Sequence, residues 1–166
     1  MLNIYKSLRL ADTLGLGGVL LIIRSYEVGP LRSKIYLVAQ EYGTKGLMID
    51  AGGWNADLAR GLEEIISDLE VILITHGHFD HVSGLREIVS RTGARALIHS
   101  KDLEIVEKSL KGVSGLLKGE LEDGMILRVG EMNVEIIHTP GHTPGSCCFL
   151  IREEGVLFTG DTLFSG

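Results

Sequence analysis

The chain has 166 residues, a formal net charge of −6 at pH 7 and an apolar fraction of 45%. This length is enough for one domain with a substantial core, and the acidic balance argues against nucleic acid as the main partner. The only two cysteines, Cys147 and Cys148, are adjacent and predicted to point to opposite faces of a strand. Because a disulfide framework is excluded, we expect a cytoplasmic protein.

The first 18 residues do not resemble the rest of the chain and are interpreted as an N-terminal extension. The uncharged run from Thr13 to Ile23 is about half the length that a membrane span needs. A secretory signal would need a cleaner apolar core and a cleavage site made of small residues. We therefore expect no membrane partner, and a single domain over residues 19–166.

Three strands are predicted first, at residues 19–28, 34–40 and 46–50. Asn55 can cap a helix that runs to about Leu69. The apolar positions of this helix repeat with a period near 3.6 residues, and they are Leu58, Leu62, Ile65, Ile66 and Leu69. A strand, a helix and a further strand in this order predict a parallel strand pair joined by a crossover.

The apolar run Val71–Ile74 predicts a buried strand that ends at Thr75, and residues from Leu85 onward begin a second helical pattern. Four side chains of the metal-ligand type occupy the connection between them: His76, His78, Asp80 and His81. Open α/β sheets place their ligands at such a carboxyl end of a strand. Imidazole and carboxylate are the usual donors to zinc. The alternative, a loop of merely solvated polar residues, is disfavoured by the number and spacing of these side chains.

The second half of the chain is predicted to contain one more helix, capped by Ser100 and reaching Leu110, and a flexible loop over residues 112–119. The remaining strands are predicted at residues 96–99, 125–128, 132–138, 147–151 and 156–159.

Three motifs taken together resemble the metallo-β-lactamase superfamily, and in particular its glyoxalase II-like branch. They are His76-Gly77-His78-Phe79-Asp80-His81, Thr139-Pro140-Gly141-His142-Thr143-Pro144-Gly145-Ser146 and Thr159-Gly160-Asp161-Thr162-Leu163-Phe164. Their order and separations are similar to those of the family. The resemblance implies the α/β class, with the αββα sandwich of two mixed sheets flanked by helices.

The resemblance also implies a binuclear metal centre. It assigns His76, His78 and His142 to the first ion, Asp80 and His81 to the second, and Asp161 to a bridge between the two. Two zinc ions are expected, and iron or manganese would suit the same donors. Asp80 is the candidate catalytic residue, since it would also orient the nucleophile.

The same resemblance bears on three further polar residues. Asp50 is either a support beneath the metal centre or a turn residue at a strand end, and these two interpretations stay equal. His99 and His138 do not correspond to ligands of the family and are interpreted as structural.

One departure from the family pattern concerns the C-terminus. Members of the family carry a further histidine ligand beyond the bridging aspartate, whereas this chain stops at Gly166, shortly after Asp161. We therefore expect a sandwich that lacks its C-terminal elements and a chain that is a fragment, incomplete, or completed as a homo-oligomer.

The leading functional hypothesis is a metal-dependent hydrolase that uses a metal-bound hydroxide on a thioester or related acyl bond of a small molecule. The alternatives are an iron-dependent oxidoreductase of the sulfur dioxygenase type and an inactive metal-binding fragment. Nucleic-acid processing would need a basic exosite or an inserted domain, and the sequence shows neither.

Overall fold

A computed structural model describes residues 21–163, which form two sheets and a layer of helices. The first sheet has the strand order β1-β2-β3-β4-β5-β6. Its strands β1, β2 and β3 are antiparallel, and β3 to β6 are parallel, so this sheet is mixed. Its strands are β1 (Ile22–Val28), β2 (Ser33–Ala39), β3 (Thr44–Ile49), β4 (Ile66–Leu73), β5 (Arg95–Leu97) and β6 (Leu117–Lys118).

The second sheet has the order β10-β9-β8-β7 and is antiparallel across the strands described. Its strands are β7 (Ile126–Val129), β8 (Met132–His138), β9 (Cys147–Ile151) and β10 (Val156–Phe158). The helices are α1 (Ala56–Ile65), α2 (Phe79–Val82), α3 (Leu85–Thr92) and α4 (Leu103–Ser109). The predicted α/β class and sandwich of two sheets are confirmed, and so is the parallel pairing of β3 with β4.

The strands β2, β3 and β4 are buried on both faces over much of their length, which explains their apolar runs. In β4, Ile72 faces the helices and Val71 and Leu73 face the second sheet. All four helices contribute buried residues to the helix-side core, namely Leu58, Val82, Leu85, Ile88 and Val106 among others. The described residues thus form three layers, and the outer helix layer of an αββα arrangement is not among them.

The predicted end of the first helix was wrong. The helix α1 ends at Ile65, and Ile66 already has the extended backbone of β4, with φ −119° and ψ 125°. Residues 66–69 pair with β3, starting with Ile66 opposite Thr44. Ile66 and Leu69 are still buried on the helix side of the sheet. Their burial satisfied the helical pattern, but the hydrogen bonds offered by a neighbouring strand decided the backbone conformation.

Two local predictions in the second half were also wrong. Ser100 does not cap a helix, because a 3₁₀ turn over Ser100–Asp102 follows His99, whose Nδ1 accepts a hydrogen bond from the Lys101 N–H at 3.3 Å. The region predicted as a flexible loop contains the short strand β6, which pairs with β5. The remaining predicted strands are present with boundaries shifted by a few residues.

The predicted N-terminal extension, residues 1–18, lies outside the described residues, and so does Phe164 of the third motif. Across residues 21–163, no helix has the length and apolar character that crossing a membrane requires.

Candidate metal centre

The first ligand loop follows β4 and is fixed between the two sheets. Ile74 donates its N–H to the Leu97 carbonyl of β5 at 2.9 Å, which extends the parallel pairing past the end of β4. The Thr75 carbonyl then accepts the N–H of Cys147, the first residue of β9, at 2.8 Å. The backbone therefore leaves the first sheet at the point where the second sheet begins. His76 to His81 project from this junction, with Asp80 and His81 in the one-turn helix α2.

Three imidazoles converge beside this loop, and we call His76, His78 and His142 the three-histidine group. His78 Nδ1 lies 3.1 Å from His76 Nε2 and 2.9 Å from His142 Nε2. The ring planes are nearly perpendicular to one another, at 80° to 87°, so the rings meet through their nitrogen edges instead of stacking. Two donors on a tetrahedral zinc ion would be about 3.3 Å apart, so this spacing fits one ion.

A second set of donors adjoins the first, and we call His81, Asp80 and Asp161 the histidine–carboxylate group. His81 Nε2 lies 3.5 Å from Asp80 Oδ2 and 3.6 Å from Asp161 Oδ1. The other oxygen of Asp161, Oδ2, lies 3.5 Å from His142 Nε2. Asp161 thus presents one oxygen to each group. All six predicted ligands are brought to one place, and the donor atoms of His76, His81 and Asp161 also lie within 4.8 Å of one another.

The second ligand loop, from Thr139 to Ser146, closes on itself and presents His142 at its tip. Thr139 N donates to the Ser146 carbonyl at 2.8 Å, and Gly141 N donates to the Thr143 carbonyl at 3.1 Å. His138 precedes the loop, and its Nε2 lies 2.9 Å from the Pro144 carbonyl oxygen. His138 also stacks on His99, with ring centroids 4.1 Å apart and planes at 3°. Two parallel stacked rings cannot direct their nitrogens at one ion, which agrees with the structural interpretation of this pair.

Asp50 lies beneath the histidine–carboxylate group and is buried. Its Oδ1 accepts the N–H of Thr75 at 2.8 Å, and its Oδ2 lies 2.8 Å from Nδ1 of His81. Because a carboxylate only accepts, His81 donates from Nδ1 and its Nε2 faces the other donors. Asp50 also has φ 60°, a left-handed conformation that is uncommon for aspartate. Of the two interpretations left open by the sequence, these contacts favour a supporting residue.

Sequence reasoning did not identify Ser33, the first residue of β2. Its hydroxyl donates to Asp80 Oδ2 at 2.7 Å, although the two residues are far apart in the chain. Gly52 faces the same segment, where an added Cβ would clash with the carbonyl oxygen of Asp80. No local pattern could have revealed Ser33, because it lies 47 positions from Asp80 in the chain and meets it only in the folded structure.

The two buried histidines of the centre have opposite pKa shifts. Burial, followed by the neighbouring imidazoles of His81, His78 and His142, lowers the pKa of His76 to about 2. Burial also opposes protonation of His81, but Asp50, Asp80 and Asp161 outweigh it and raise the pKa of His81 to about 9. Near neutral pH, His76 therefore offers an unprotonated nitrogen, and His81 must release a proton from Nε2 before it can bind a cation.

Both cysteines are buried and free. Cys147 packs in the core between the sheets, where burial and the adjacent Cys148 raise the pKa of its thiol to about 12. Neither cysteine belongs to a cluster of possible metal donors within residues 21–163. The donors available to an ion at this site are therefore imidazoles and carboxylates alone.

A sandwich of two sheets with a compact set of imidazoles and carboxylates at the strand ends defines a metal-binding α/β protein. A family model described as the metallo-beta-lactamase superfamily matches residues 28–166. The chain belongs to this superfamily, whose members are mostly hydrolases.

Several curated relatives resemble the chain over most of its length. It is 35% identical to hydroxyacylglutathione hydrolase GloC of Haemophilus influenzae over 130 residues, which are 72% of this chain and 61% of GloC. It is 30% identical to the probable metallo-hydrolase YqgX of Bacillus subtilis over 154 residues, 86% of this chain and 72% of YqgX. An uncharacterized protein of Aquifex aeolicus is also 30% identical, over 88% of this chain and 72% of its own length. The chain thus matches only part of each of these relatives.

Solved structures agree with the fold. TTHA1623 in a di-iron-bound form superposes with a TM-score of 0.68 at 31% identity, covering 86% of this chain and 74% of its own. The BLEG-1 B3 metallo-beta-lactamase superposes with the same TM-score at 24% identity, covering 87% and 74%, a likeness that concerns the fold alone.

Proposed function

We propose that the chain is a metal-dependent hydrolase that cleaves a thioester or a related acyl bond of a small molecule. The observation that carries the proposal is the pair of adjoining donor groups that share Asp161, with one oxygen toward His81 and the other toward His142. This donor set suits two divalent ions held side by side. The identity to hydroxyacylglutathione hydrolase GloC supports the thioester as the substrate class.

The donors fit zinc, which takes imidazole and carboxylate ligands in tetrahedral sites. They also fit iron or manganese, and TTHA1623 is a related protein in a di-iron-bound form. When bound, the ions would lower the pKa of a coordinated water and polarise the acyl carbonyl. The protein's contribution is the placement of the donors around that reaction.

Asp80 is the proposed catalytic residue. Its Oδ2 is held by the Ser33 hydroxyl at 2.7 Å and lies 3.5 Å from His81 Nε2. A carboxylate held in this way can orient a water molecule and accept its proton during attack on the acyl carbon. Asp50 supports this half of the centre, because its contact with Nδ1 of His81 directs Nε2 toward Asp80 and Asp161.

A second candidate is an iron-dependent oxidoreductase of the sulfur dioxygenase type. The observation that favours it is the difference between the two donor groups: the imidazole nitrogens of the three-histidine group lie at 2.9 to 3.1 Å, whereas the carboxylate contacts of the other group are 3.5 to 3.6 Å. A protein that holds one iron in the three-histidine group would need fewer donors than the binuclear hydrolase.

We propose further that the partner is a small molecule and that the protein works in a reducing compartment, which two free buried cysteines support. No contact with nucleic acid is proposed, since the net charge is −6.

The first experiment is elemental analysis of the chain purified without chelator, followed by thioester hydrolysis for the wild type and His76→Ala. We expect about two ions per chain and hydrolysis that is lost in the variant. Equal hydrolysis by the two proteins would contradict the hydrolase. One iron per chain together with oxygen uptake on a persulfide would favour the oxidoreductase. Bound metal without either activity would indicate an inactive metal-binding protein, and absence of bound metal would contradict the metal centre itself.

A further inference from the structure

A buried carboxylate that belongs to neither donor group lies between the two ligand loops. Asp102 ends the 3₁₀ turn that precedes α4, and its relative exposure is 0%. No ion pair of Asp102 occurs within the described part of the chain. Burying a carboxylate without a cation is costly unless its oxygens are hydrogen-bonded. The hydrogen bonds that Asp102 accepts must therefore offset the cost of its burial.

Asp102 accepts three hydrogen bonds, and all of them come from the ligand loops. Its Oδ2 accepts the N–H of Gly77 at 2.8 Å and the hydroxyl of Thr143 at 2.7 Å. Its Oδ1 accepts the N–H of Gly145 at 2.7 Å. Gly77 stands between the ligands His76 and His78, and Thr143 directly follows the ligand His142. One side chain thus joins the two loops that supply the three-histidine group.

The close approach of Asp102 explains two glycines of the ligand motifs. A Cβ added to Gly145 would lie 2.6 Å from Asp102 Oδ1, and a Cβ added to Gly77 would lie 2.8 Å from the Asp102 carbonyl oxygen. Neither glycine has a positive φ. Both are therefore needed for space around Asp102 and not for an unusual backbone conformation.

We propose that Asp102 is a positioning residue that fixes the distance of His142 from His76 and His78 and thereby sets the metal affinity of the three-histidine group. This inference rests on the metal centre of the proposed function, and it does not depend on the reaction. Nδ1 of His78 and Nε2 of His142, which come from different loops, lie 2.9 Å apart. Fastening both loops to one rigid acceptor is a direct way to hold that separation without a bound ion.

The chemistry of the acceptor explains why aspartate serves here. An ionised carboxylate accepts on both oxygens and can satisfy all three donors together. Asparagine has the same shape, but one of its two positions is an NH₂ donor. In either orientation that NH₂ group would face a backbone N–H, of Gly145 or of Gly77, at hydrogen-bond distance. Asp102→Asn should therefore push the ligand loops apart while changing few atoms.

The test compares three variants with the wild type: Asp102→Asn, Thr143→Val and Thr143→Ser. The probe is Co²⁺ alone, with its dissociation constant measured against a competing chelator and its d–d absorption recorded. We expect the affinity of Asp102→Asn for the first ion to fall about 10- to 100-fold, the range for partners that orient metal ligands. Thr143→Val should lose a smaller part of the affinity, and Thr143→Ser, which keeps the hydroxyl, should bind as the wild type does.

The matched control is Asp123→Asn. Asp123 also accepts a backbone N–H, that of His138 at 2.9 Å, but it is exposed and its partner precedes the second ligand loop. The Co²⁺ affinity and d–d spectrum of Asp123→Asn should equal those of the wild type. The thermal midpoint of each metal-free variant is measured as well, because a purely structural role for Asp102 would lower that midpoint and leave the Co²⁺ spectrum and affinity of the folded fraction unchanged.

The outcomes separate this inference from the proposed function. Wild-type affinity and spectrum in Asp102→Asn, or in Thr143→Val should Asp102→Asn fail to fold, would overturn the role of Asp102 and leave the metal centre intact. A wild-type chain that binds no Co²⁺ would overturn both the metal centre and the positioning role. Weakened binding in Thr143→Val that Thr143→Ser restores would support the inference even without a folded Asp102→Asn.

Discussion

The two halves of the metal centre are built differently. In the three-histidine group, imidazoles from two loops meet at 2.9 and 3.1 Å, and both loops are tied to the buried Asp102. In the histidine–carboxylate group, the corresponding contacts of His81 are 3.5 and 3.6 Å. Its supports are Asp50 beneath His81 and Ser33 beside Asp80.

This difference indicates which half of the centre has more donors of its own for binding an ion. In the three-histidine group three imidazoles are in contact, and Asp102 is hydrogen-bonded to both loops that supply them. The histidine–carboxylate group gathers two carboxylates around one imidazole. Against the effect of burial, Asp50, followed by these two carboxylates, raises the pKa of His81 to about 9. Within residues 21–163, no histidine outside the two groups is available to this second group, since His99 and His138 stack on each other. We therefore expect the first half to bind its ion more tightly than the second.

The largest effect is expected from His142→Ala, which removes one imidazole of the three-histidine group. Affinity for the first ion should fall at least about 100-fold, more than the loss of a partner that only orients a ligand. Metal content after dialysis and thioester hydrolysis would measure it. His138→Ala is the matched control, because His138 precedes the same loop and its recorded contacts are with the Pro144 carbonyl and the stacked ring of His99. A greater metal loss in His138→Ala than in His142→Ala would reverse the assignment.

Asp161→Asn should affect the second half most. The Asp161 carboxylate presents one oxygen to each group. In the variant one of these oxygens is replaced by an NH₂ group, which donates and cannot bind a cation. We expect metal content to fall by about one ion per chain, with the ion of the three-histidine group retained. Asp123→Asn makes the same change of charge at an exposed site and should keep the wild-type content. Loss of both ions in Asp161→Asn would show that the halves bind metal as one unit.

Ser33→Ala should have a smaller effect, confined to the catalytic step. The variant loses a hydrogen bond to the Asp80 carboxylate, and bonds to charged groups contribute about 1.5–3 kcal/mol, which corresponds to a roughly 10-fold or greater fall in kcat. Co²⁺ affinity of the three-histidine group should not change. Ser83→Ala is the control, because the Ser83 hydroxyl donates to the nearby Gly52 carbonyl and touches no ligand. An unchanged kcat would remove Ser33 from the proposed mechanism.

The smallest effect concerns the stacked histidines outside both halves. Burial, followed by the charge of His138, lowers the pKa of His99 below its usual 6.5. The unfolded chain therefore binds a proton near pH 6.5 that the folded chain resists, so stability is present above pH 6.5 and lost as the pH falls below it. His99→Phe keeps a stacking ring that cannot be protonated. The variant should therefore lose less stability than the wild type as the pH falls, by at most the effect of binding one proton.

Thermal unfolding between pH 7.5 and 5 would measure the effect of His99→Phe, with the midpoints at pH 7.5 used to remove any offset between the two proteins. Lys101, Asp102 and Glu122 also face His99 and are retained in both chains. Metal content should be unchanged, since the stacked pair belongs to neither group. A loss of metal in this variant would mean that the pair contributes to the centre after all.

Much of the fold and of the donor set was predictable from the sequence. The six ligands that the family resemblance implied lie together in the structure. Four of them follow one strand within six positions, so their closeness is local, whereas the second sheet brings His142 and Asp161 to them. The end of α1 was not predictable in the same way. Ile66 and Leu69 are buried whether the backbone is helical or extended, and only the pairing with β3 selects the strand.

The sequence by itself determined the class of fold and predicted which side chains would gather as candidate metal ligands, because apolar runs and recognisable motifs are properties of neighbouring residues. The tertiary structure alone decided how the donors are held. Nothing in the sequence distinguishes Ser33 or Asp102 from other serines and aspartates. They acquire roles only because the folded chain brings Ser33 to Asp80 and Asp102 between the two loops. A buried carboxylate needs several donors at once, and only distant segments can supply them.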